Sequence, residues 1–375
     1  MTMAAIGSPA RIRMPETDLP FRLALARVPR IGAKRMALLE AYFASVSDAW
    51  TAGDGDLREA GMDAATLRSL HQARGRTDPD EEMAALQASG ARAISVQDEA
   101  YPARLREIYD PPPLLFVRGE ILPADDWSVA VVGTRRVSPY GRQVTAEMSH
   151  GLASNRVTIV SGLARGVDGI AHESALEAGG RTIAVQACGV DVVYPPEHKG
   201  LAQRIEEDGA VVSEHPLGTT PRADFFPRRN RIIAGLTLGT LIVEAGEGSG
   251  ALHTANWANE QNREVFAVPG RITSPTSKAS NALIQQGMAK LVTSVSDILV
   301  ELNLQMVEQQ MEMTALLPSD PTESAVLERL SADPVHVDDC VRLAGLPAST
   351  VSSTLAMLEM KGLVRQVGPM TYVRR

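Results

Sequence analysis

Six short runs of β-branched and aliphatic residues, each closed by a glycine or proline turn, recur between residues 128 and 270. Val129-Ala-Val-Val132 ends at Gly133, and Val157-Thr-Ile-Val160 at Ser161-Gly162. Thr182-Ile-Ala-Val185 leads to Cys188-Gly189, and Ala210-Val-Val-Ser213 to Glu214-His215-Pro216. Thr240-Leu-Ile-Val-Glu244 leads to Ala245-Gly246, and Glu264-Val-Phe-Ala-Val268 to Pro269-Gly270. Runs that are apolar throughout suit strands buried on both faces, and helical stretches separate them. The pattern predicts an α/β fold: a mostly parallel, doubly wound sheet with helices on both sides. In such sheets ligands sit beyond the carboxyl ends of the strands, at the topological switch point. Nearly all of these glycine turns fall at such ends.

Two stretches stand out at those ends. Ser161-Gly-Leu-Ala-Arg-Gly-Val-Asp168 follows a strand, and Phe225-Phe-Pro-Arg-Arg-Asn-Arg231 precedes the apolar helix start Ile232-Ile233. A glycine turn between strand and helix exposes backbone N–H groups to an anion, and arginine adds bidentate phosphate donors. Gly133, Thr134, Arg135 and Arg136 form a third such loop. The candidate nucleic-acid-binding set is Gly133, Thr134, Arg135, Ser161, Gly162, Arg165, Gly166, Phe226, Arg228, Arg229, Asn230 and Arg231. Residues 222–231 hold four arginines against Asp224, a local charge of +3 in a chain of net charge −8. That balance argues against a general nucleic-acid coat and for a local patch. A solvated charge run is the plain alternative, and Asn230 has a structural alternative, closing its loop through backbone hydrogen bonds. Only 4% of residues are aromatic, so Phe225 and Phe226 are conspicuous as stacking faces beside the arginines.

Catalytic and metal chemistry find less support. Asp168 and His172 share a helix face as a possible acid/base pair, but capping by Asp168 and packing of His172 explain them more simply. Gly246-Glu-Gly-Ser-Gly250 departs from the dinucleotide fingerprint, and no Gly-Lys dipeptide exists for a Walker A loop. The loop reads equally as an anion-facing turn, with Ser249 and Thr254 as donors, or as a tight turn. The two cysteines, Cys188 and Cys340, are far apart in sequence, and no metal-ligand spacing is seen. No apolar run marks a signal peptide or a membrane span, which makes the cytoplasm the default expectation.

The flanks carry their own patterns. Residues 1–18 read as disordered and 19–86 as helical, with Val28-Pro-Arg-Ile-Gly-Ala-Lys34 either a helix-hairpin-helix turn or a plain connector. Tyr101 to Pro113 reads as an irregular lead-in to the sheet. Residues 301–320 read as a linker. Residues 321–375 read as three helices and a two-stranded hairpin, a winged helix. That segment holds six acidic and six basic residues, and its third helix has no arginine, so protein contact or weak DNA contact is expected there rather than sequence readout.

These motifs together resemble one family. Val132-Gly-Thr-Arg-Arg-Val-Ser-Pro-Tyr-Gly141, the 161–168 stretch with Ala171-His172, Gly189-Val-Asp-Val-Val-Tyr-Pro195, Phe226-Pro-Arg-Arg-Asn-Arg-Ile-Ile-Ala-Gly235, Val243-Glu-Ala-Gly246 with Ser249-Gly250 and Thr254-Ala255, and Val265-Phe-Ala-Val-Pro-Gly270 follow the order seen in the bacterial DNA-processing protein family DprA, also called Smf. The resemblance implies a helical SAM-like domain (19–86), an extended Rossmann-like core (87–300), a linker (301–320) and a winged helix (321–375). It implies a mediator without established catalysis that protects incoming single-stranded DNA in natural transformation. Such a mediator passes DNA from single-strand-binding protein to RecA and forms homodimers. It places Arg135, Arg165, Arg228 and Arg229 in the DNA groove and calls for no cofactor or metal. Gln186-Ala187-Cys188 departs from the leucine-glycine usual at that point. A competing reading is a phosphoribohydrolase-like enzyme on the same fold, with Asp168, Glu244 or His172 as acid/base.

Overall fold

Each apolar run becomes a strand because sheet burial on both faces leaves no polar side to accommodate. The computed structural model describes residues 18–304, 321–331, 334–360, 363–368 and 370–374. In the larger unit, which ends at Ile298, the strands are β1 (Arg92–Ser95), β2 (Leu114–Gly119), β3 (Ser128–Val132), β4 (Thr158–Ser161), β5 (Thr182–Val185), β6 (Ala210–Ser213), β7 (Gly239–Ile242), β8 (Glu264–Ala267) and β9 (Lys290–Leu291). Every residue of β3 to β7 is buried.

The strands form one sheet in the order β1-β2-β6-β5-β4-β3-β7-β8-β9. β3 to β9 run parallel, while β1 and β2 pair antiparallel at one edge. The chain winds outward from β3 through β4, β5 and β6, then returns to lay β7 on the other side of β3. The register of that return pairs Val129 with Gly239 and Val132 with Ile242. The switch point therefore lies between β3 and β7, and the loops after β3, β4 and β7 meet at one rim.

One face of the sheet is covered by helices Phe225–Leu236 and Ala251–Glu260, whose Ile232, Ile233, Ala255 and Ala258 pack on Val132, Val160 and Val185. Full burial of Ile232 and Ile233 contributes about 1.5–3 kcal/mol each and anchors the helix that carries the arginine cluster. On the other face Leu201, Ala202 and Ile205 pack against Ala184 and Val211. Leu23 and Leu86 of the N-terminal helical region join that second core, together with Leu114 and Phe116 of β2. The helical region also has its own core around Leu25, Leu39, Trp50 and Leu70.

Two expectations are corrected. The sheet begins before Ser128: β1 and β2 flank the expected lead-in, Tyr101 to Pro113, which itself holds one short helix, Ala103–Arg106. Leu114 to Val117 is wholly buried against β6, and the three prolines before it hide a run that otherwise reads as a strand. Asp18, expected in the disordered start, is buried and its carboxylate accepts the Val46 N–H at 3.3 Å. Residues 1–17 and 305–320 lie outside the described residues, with the remainder of the expected disordered start and most of the expected linker.

The second unit, Leu299–Arg375, contains helices Pro321–Leu327, Val337–Ala344 and Ala348–Met360 and strands β10 (Val335–His336), β11 (Val364–Gly368) and β12 (Thr371–Arg374). Val326, Cys340, Val351, Leu355, Leu358 and Val364 form its core. β10 adds a third strand beside β12, too short to register in the sequence pattern.

Candidate nucleic-acid interface

The loop after β3 is shaped by a buried acid. Glu244, only 2% exposed, follows β7. Its carboxylate accepts Ser138 N (2.9 Å), Ser138 Oγ (2.7 Å) and Thr276 Oγ1 (3.0 Å). Its backbone oxygen accepts Thr134 N at 2.8 Å. These bonds fix both ends of the 133–138 loop, so Arg135 and Arg136 project from a rigid base and both are exposed. Ser138 then caps helix Pro139–Ser154 by accepting Gly141 N.

The loop after β4 folds around Asp168. Gly166, at φ 80°, is the helix N-cap and offers no side-chain cap. A Cβ there would overlap the Thr134 carbonyl, so glycine is required both for conformation and for approach. Asp168 sits one step inside the helix, and its Oδ2 accepts Gly162 N (3.1 Å) and Ala164 N (3.3 Å). It caps the preceding loop rather than the helix, which corrects the simple capping expectation. Burial raises its pKa against the pull of Arg229 and the two amides. Arg165 is exposed and paired with Glu197. Ser161 is fully buried and donates to Val131 O at 2.6 Å.

Helix Phe225–Leu236 sorts its arginines by face. Arg228 is exposed. Arg229 is 4% exposed and donates to Gly162 O (2.7 Å) and to Val185 O, tying the helix to the ends of β4 and β5. Burial lowers its pKa to about 10, still high enough to keep it charged at neutral pH. Asn230 accepts Arg229 Nε (3.2 Å) and donates to Gly250 O (3.2 Å), closing the floor against the 246–250 loop. Arg231 forms a bidentate pair with Glu214 at 2.7 and 2.8 Å and donates to Asp110 O. Burial would raise Glu214, but Arg231 overrides it and holds the carboxyl below its ordinary value.

Between these elements lies a cleft of about 740 Å³. Of the candidate set, Gly133, Thr134, Arg135, Phe226, Arg229 and Asn230 line it. The Phe226 ring has Arg135 5.3 Å from its centroid and the Tyr194 ring at 5.6 Å. Gly162 and Arg165 line a small adjoining recess with Arg135, Tyr194 and Phe226. Arg228 opens onto a third recess. Ser161, Gly166 and Arg231 line none of the three. Ser161 Oγ and the Arg231 guanidinium are engaged inside the fold, and the Gly166 turn packs against the Thr134 carbonyl. The Gly162 amide is likewise engaged by Asp168. Of the two phenylalanines, Phe225 is already stacked on His215 at 4.2 Å and flanked by Arg222, so Phe226 is the open face. Ser249 and Thr254, weighed as extra donors, line the cleft.

The sequence reading missed Tyr194, Glu197 and Trp257, and counted Arg222 only within the 222–231 patch. Tyr194 was signalled by its place before two prolines in the 189–195 motif; the others carry no local signature.

The acid/base candidates do not assemble. His172 is fully buried, its Nδ1 within 2.6 Å of Thr182 Oγ1, and burial drives its pKa down to about 3. Glu244 is committed to three donors. Among the described residues no three His, Cys, Asp or Glu side chains gather as a metal site, and no helix is long and apolar enough to cross a membrane.

The fold and cleft define a Rossmann-like α/β protein with a basic, aromatic-floored cleft at its strand ends and an appended winged helix. The chain belongs to the DNA recombination-mediator protein A family, whose model matches residues 92–303. The DprA winged helix domain matches residues 311–368. Protein Smf of Escherichia coli strain K12 is 41% identical over 288 residues, covering 75% of this chain and 76% of that one. DNA processing protein DprA of Streptococcus pneumoniae is 46% identical over 209 residues, covering 56% and 73%. A solved structure of DprA from Streptococcus pneumoniae matches with TM-score 0.65 and 36% identity, over 75% of this chain and 97% of that chain. DNA processing protein A from Helicobacter pylori, solved for its single-stranded DNA binding mode, matches with TM-score 0.52 and 30% identity, over 58% and 96%.

Proposed function

We propose that this chain is a single-stranded-DNA-binding recombination mediator. The carrying observation is the convergence of Arg135, Arg136 and Arg165 around one aromatic ring, Phe226, with exposed Arg228 two residues along the same helix. The reading is also supported by the likeness to the Helicobacter pylori protein. Exposed arginines hold successive phosphates, while Phe226, with Tyr194 at its edge, stacks a base. Stacking accepts any base, so binding is independent of sequence. Arg229, Asn230, Asp168 and Glu244 act one layer below by fixing the loops. The net charge of −8 confines attraction to the cleft and disfavours indiscriminate coating.

In the full reading the protein works in the cytoplasm as a homodimer. It takes strands from single-strand-binding protein, shields them and loads RecA, in natural transformation or in repair. It works by binding and not by catalysis in this reading, which the burial of Asp168, His172 and Glu244 in structural bonds supports. The test is fluorescence anisotropy of a labelled homothymidine strand at low and physiological salt, with duplex competitor. Salt-sensitive binding that duplex fails to displace is expected. Absence of binding at low salt, together with base release from nucleoside monophosphates, overturns the reading in favour of the nucleotide enzyme.

A further inference from the structure

Past Phe226 the rim turns at Pro227 into a separate recess of about 250 Å³, lined by Pro227, Arg228, His253, Asn256, Trp257 and Glu260. It shares Pro227 and His253 with the main cleft, so the two adjoin. His253, Asn256, Trp257 and Glu260 stand three, four and seven residues apart on helix Ala251–Glu260 and present one face. Trp257 is half-buried and packs against the sheet core. Its Nε1 donates to Pro227 O at 3.3 Å, which holds the indole in place before any ligand arrives. Arg228 is exposed with no carboxylate in ion-pair reach among the described residues.

A fixed indole beside a free guanidinium is the pairing that takes a base and its phosphate. On the far side of Trp257 the chemistry reverses. The next recess holds Glu107, Asp110 and Glu260, and its arginines are spent: Arg231 on Glu214 and Asp110, Arg263 on Glu107. Phosphates are repelled there.

We infer that Trp257 and Arg228 form a second base-binding station for single-stranded nucleic acid, reached from Phe226 across Pro227, with the acidic rim beyond Trp257 ending the track. This rests on the single-strand reading of the main cleft. It adds a defined length to the footprint and a second stacking residue that the sequence reading did not single out.

The test uses the full chain and homothymidine strands stepped from about 4 to about 16 nucleotides. For the parent protein, affinity rises with length until both stations are filled, then levels. Trp257→Ala removes about tenfold from the affinity for strands long enough to reach it and leaves the shortest strands unaffected. Trp257→Phe, which keeps a ring, restores most of that loss. Tryptophan emission is quenched by long strands and not by the shortest, and the long-strand quench disappears in Trp257→Phe, which separates Trp257 from Trp50 and Trp127. Equal loss for short and long strands, or no loss and no quench for long ones, overturns the second station while leaving Phe226 in place. Failure of the parent to bind any length overturns the single-strand reading itself and the station with it.

Discussion

Around the cleft, Arg135, Arg136 and Arg228 form an exposed rim and lack an acidic partner among the described residues; beneath them, Arg229 on the cleft wall and Arg231, which lines no part of the cleft, form a buried floor layer whose guanidiniums are engaged. The two sets share one residue type, and three of the five are neighbours in a single motif. Burial alone separates them. A guanidinium taken out of water must be matched by carbonyls or a carboxylate, and once matched it serves as a clamp. A guanidinium left in water keeps its donors for a phosphate. Under the proposed function the floor sets geometry and the rim supplies affinity, so substitutions in the two should show in different measurements: stability for the floor and strand binding for the rim.

The largest effect is expected at the floor. Arg231→Ala leaves Glu214 buried without its bidentate partner and should cost ~3–5 kcal/mol of stability, read as an early urea or thermal midpoint. If Arg231→Ala instead unfolds like the parent while losing DNA affinity, the residue belongs to the rim. At the rim, Arg135→Ala should weaken single-strand binding by about 10- to 100-fold with an unchanged unfolding midpoint. A shifted midpoint would move Arg135 into the scaffold.

The buried scaffold away from the cleft also carries a pH signature. His172 has a folded pKa of about 3 against about 6.5 in the unfolded chain. Below the unfolded value the unfolded state takes up the proton first, so stability falls as pH drops from about 6.5 towards 3. His172→Gln should flatten that slope near its upper end in equilibrium unfolding across pH, while DNA binding by the rim is unaffected. An unchanged slope assigns the acid sensitivity to other groups.

The smallest effect tests an intermediate case. Arg165 is exposed yet paired with Glu197, so it must exchange a carboxylate for a phosphate. A surface pair of this kind holds little energy. Glu197→Gln should therefore tighten strand binding only about two- to fivefold at low salt, and Arg165→Ala in that background should erase the gain. Weaker binding in Glu197→Gln would show that the acid positions Arg165 rather than masking it.

Much of the fold was legible because β3 to β7, and all of β8 but Glu264, are buried and so carry a largely apolar signal between glycine turns. The antiparallel edge was not. Leu114 to Val117 is as apolar as any of these strands, but the prolines before it mimic a loop. In the site, the loops were legible and the sorting within them was not. Arg228, Arg229 and Arg231 differ only in which side of one helical turn they occupy, and nothing in Phe-Pro-Arg-Arg-Asn-Arg states where the sheet lies. Ser161 and Gly166 are read as phosphate ligands by motif, yet they are consumed by Val131 O and by close packing on Thr134. Trp257 carries no motif at all, and only the helix face it shares with Asn256 brings it beside Arg228.

The central claim is that exposed rim arginines, and not the buried ones, bind the strand. The most direct measurement is the salt dependence of homothymidine affinity for the parent and for Arg135→Ala, by anisotropy over a range of sodium chloride concentrations. The account predicts weaker binding at every salt and a logarithmic slope shallower by about one for the variant, the loss of a single phosphate contact. A slope and affinity equal to the parent's would contradict it.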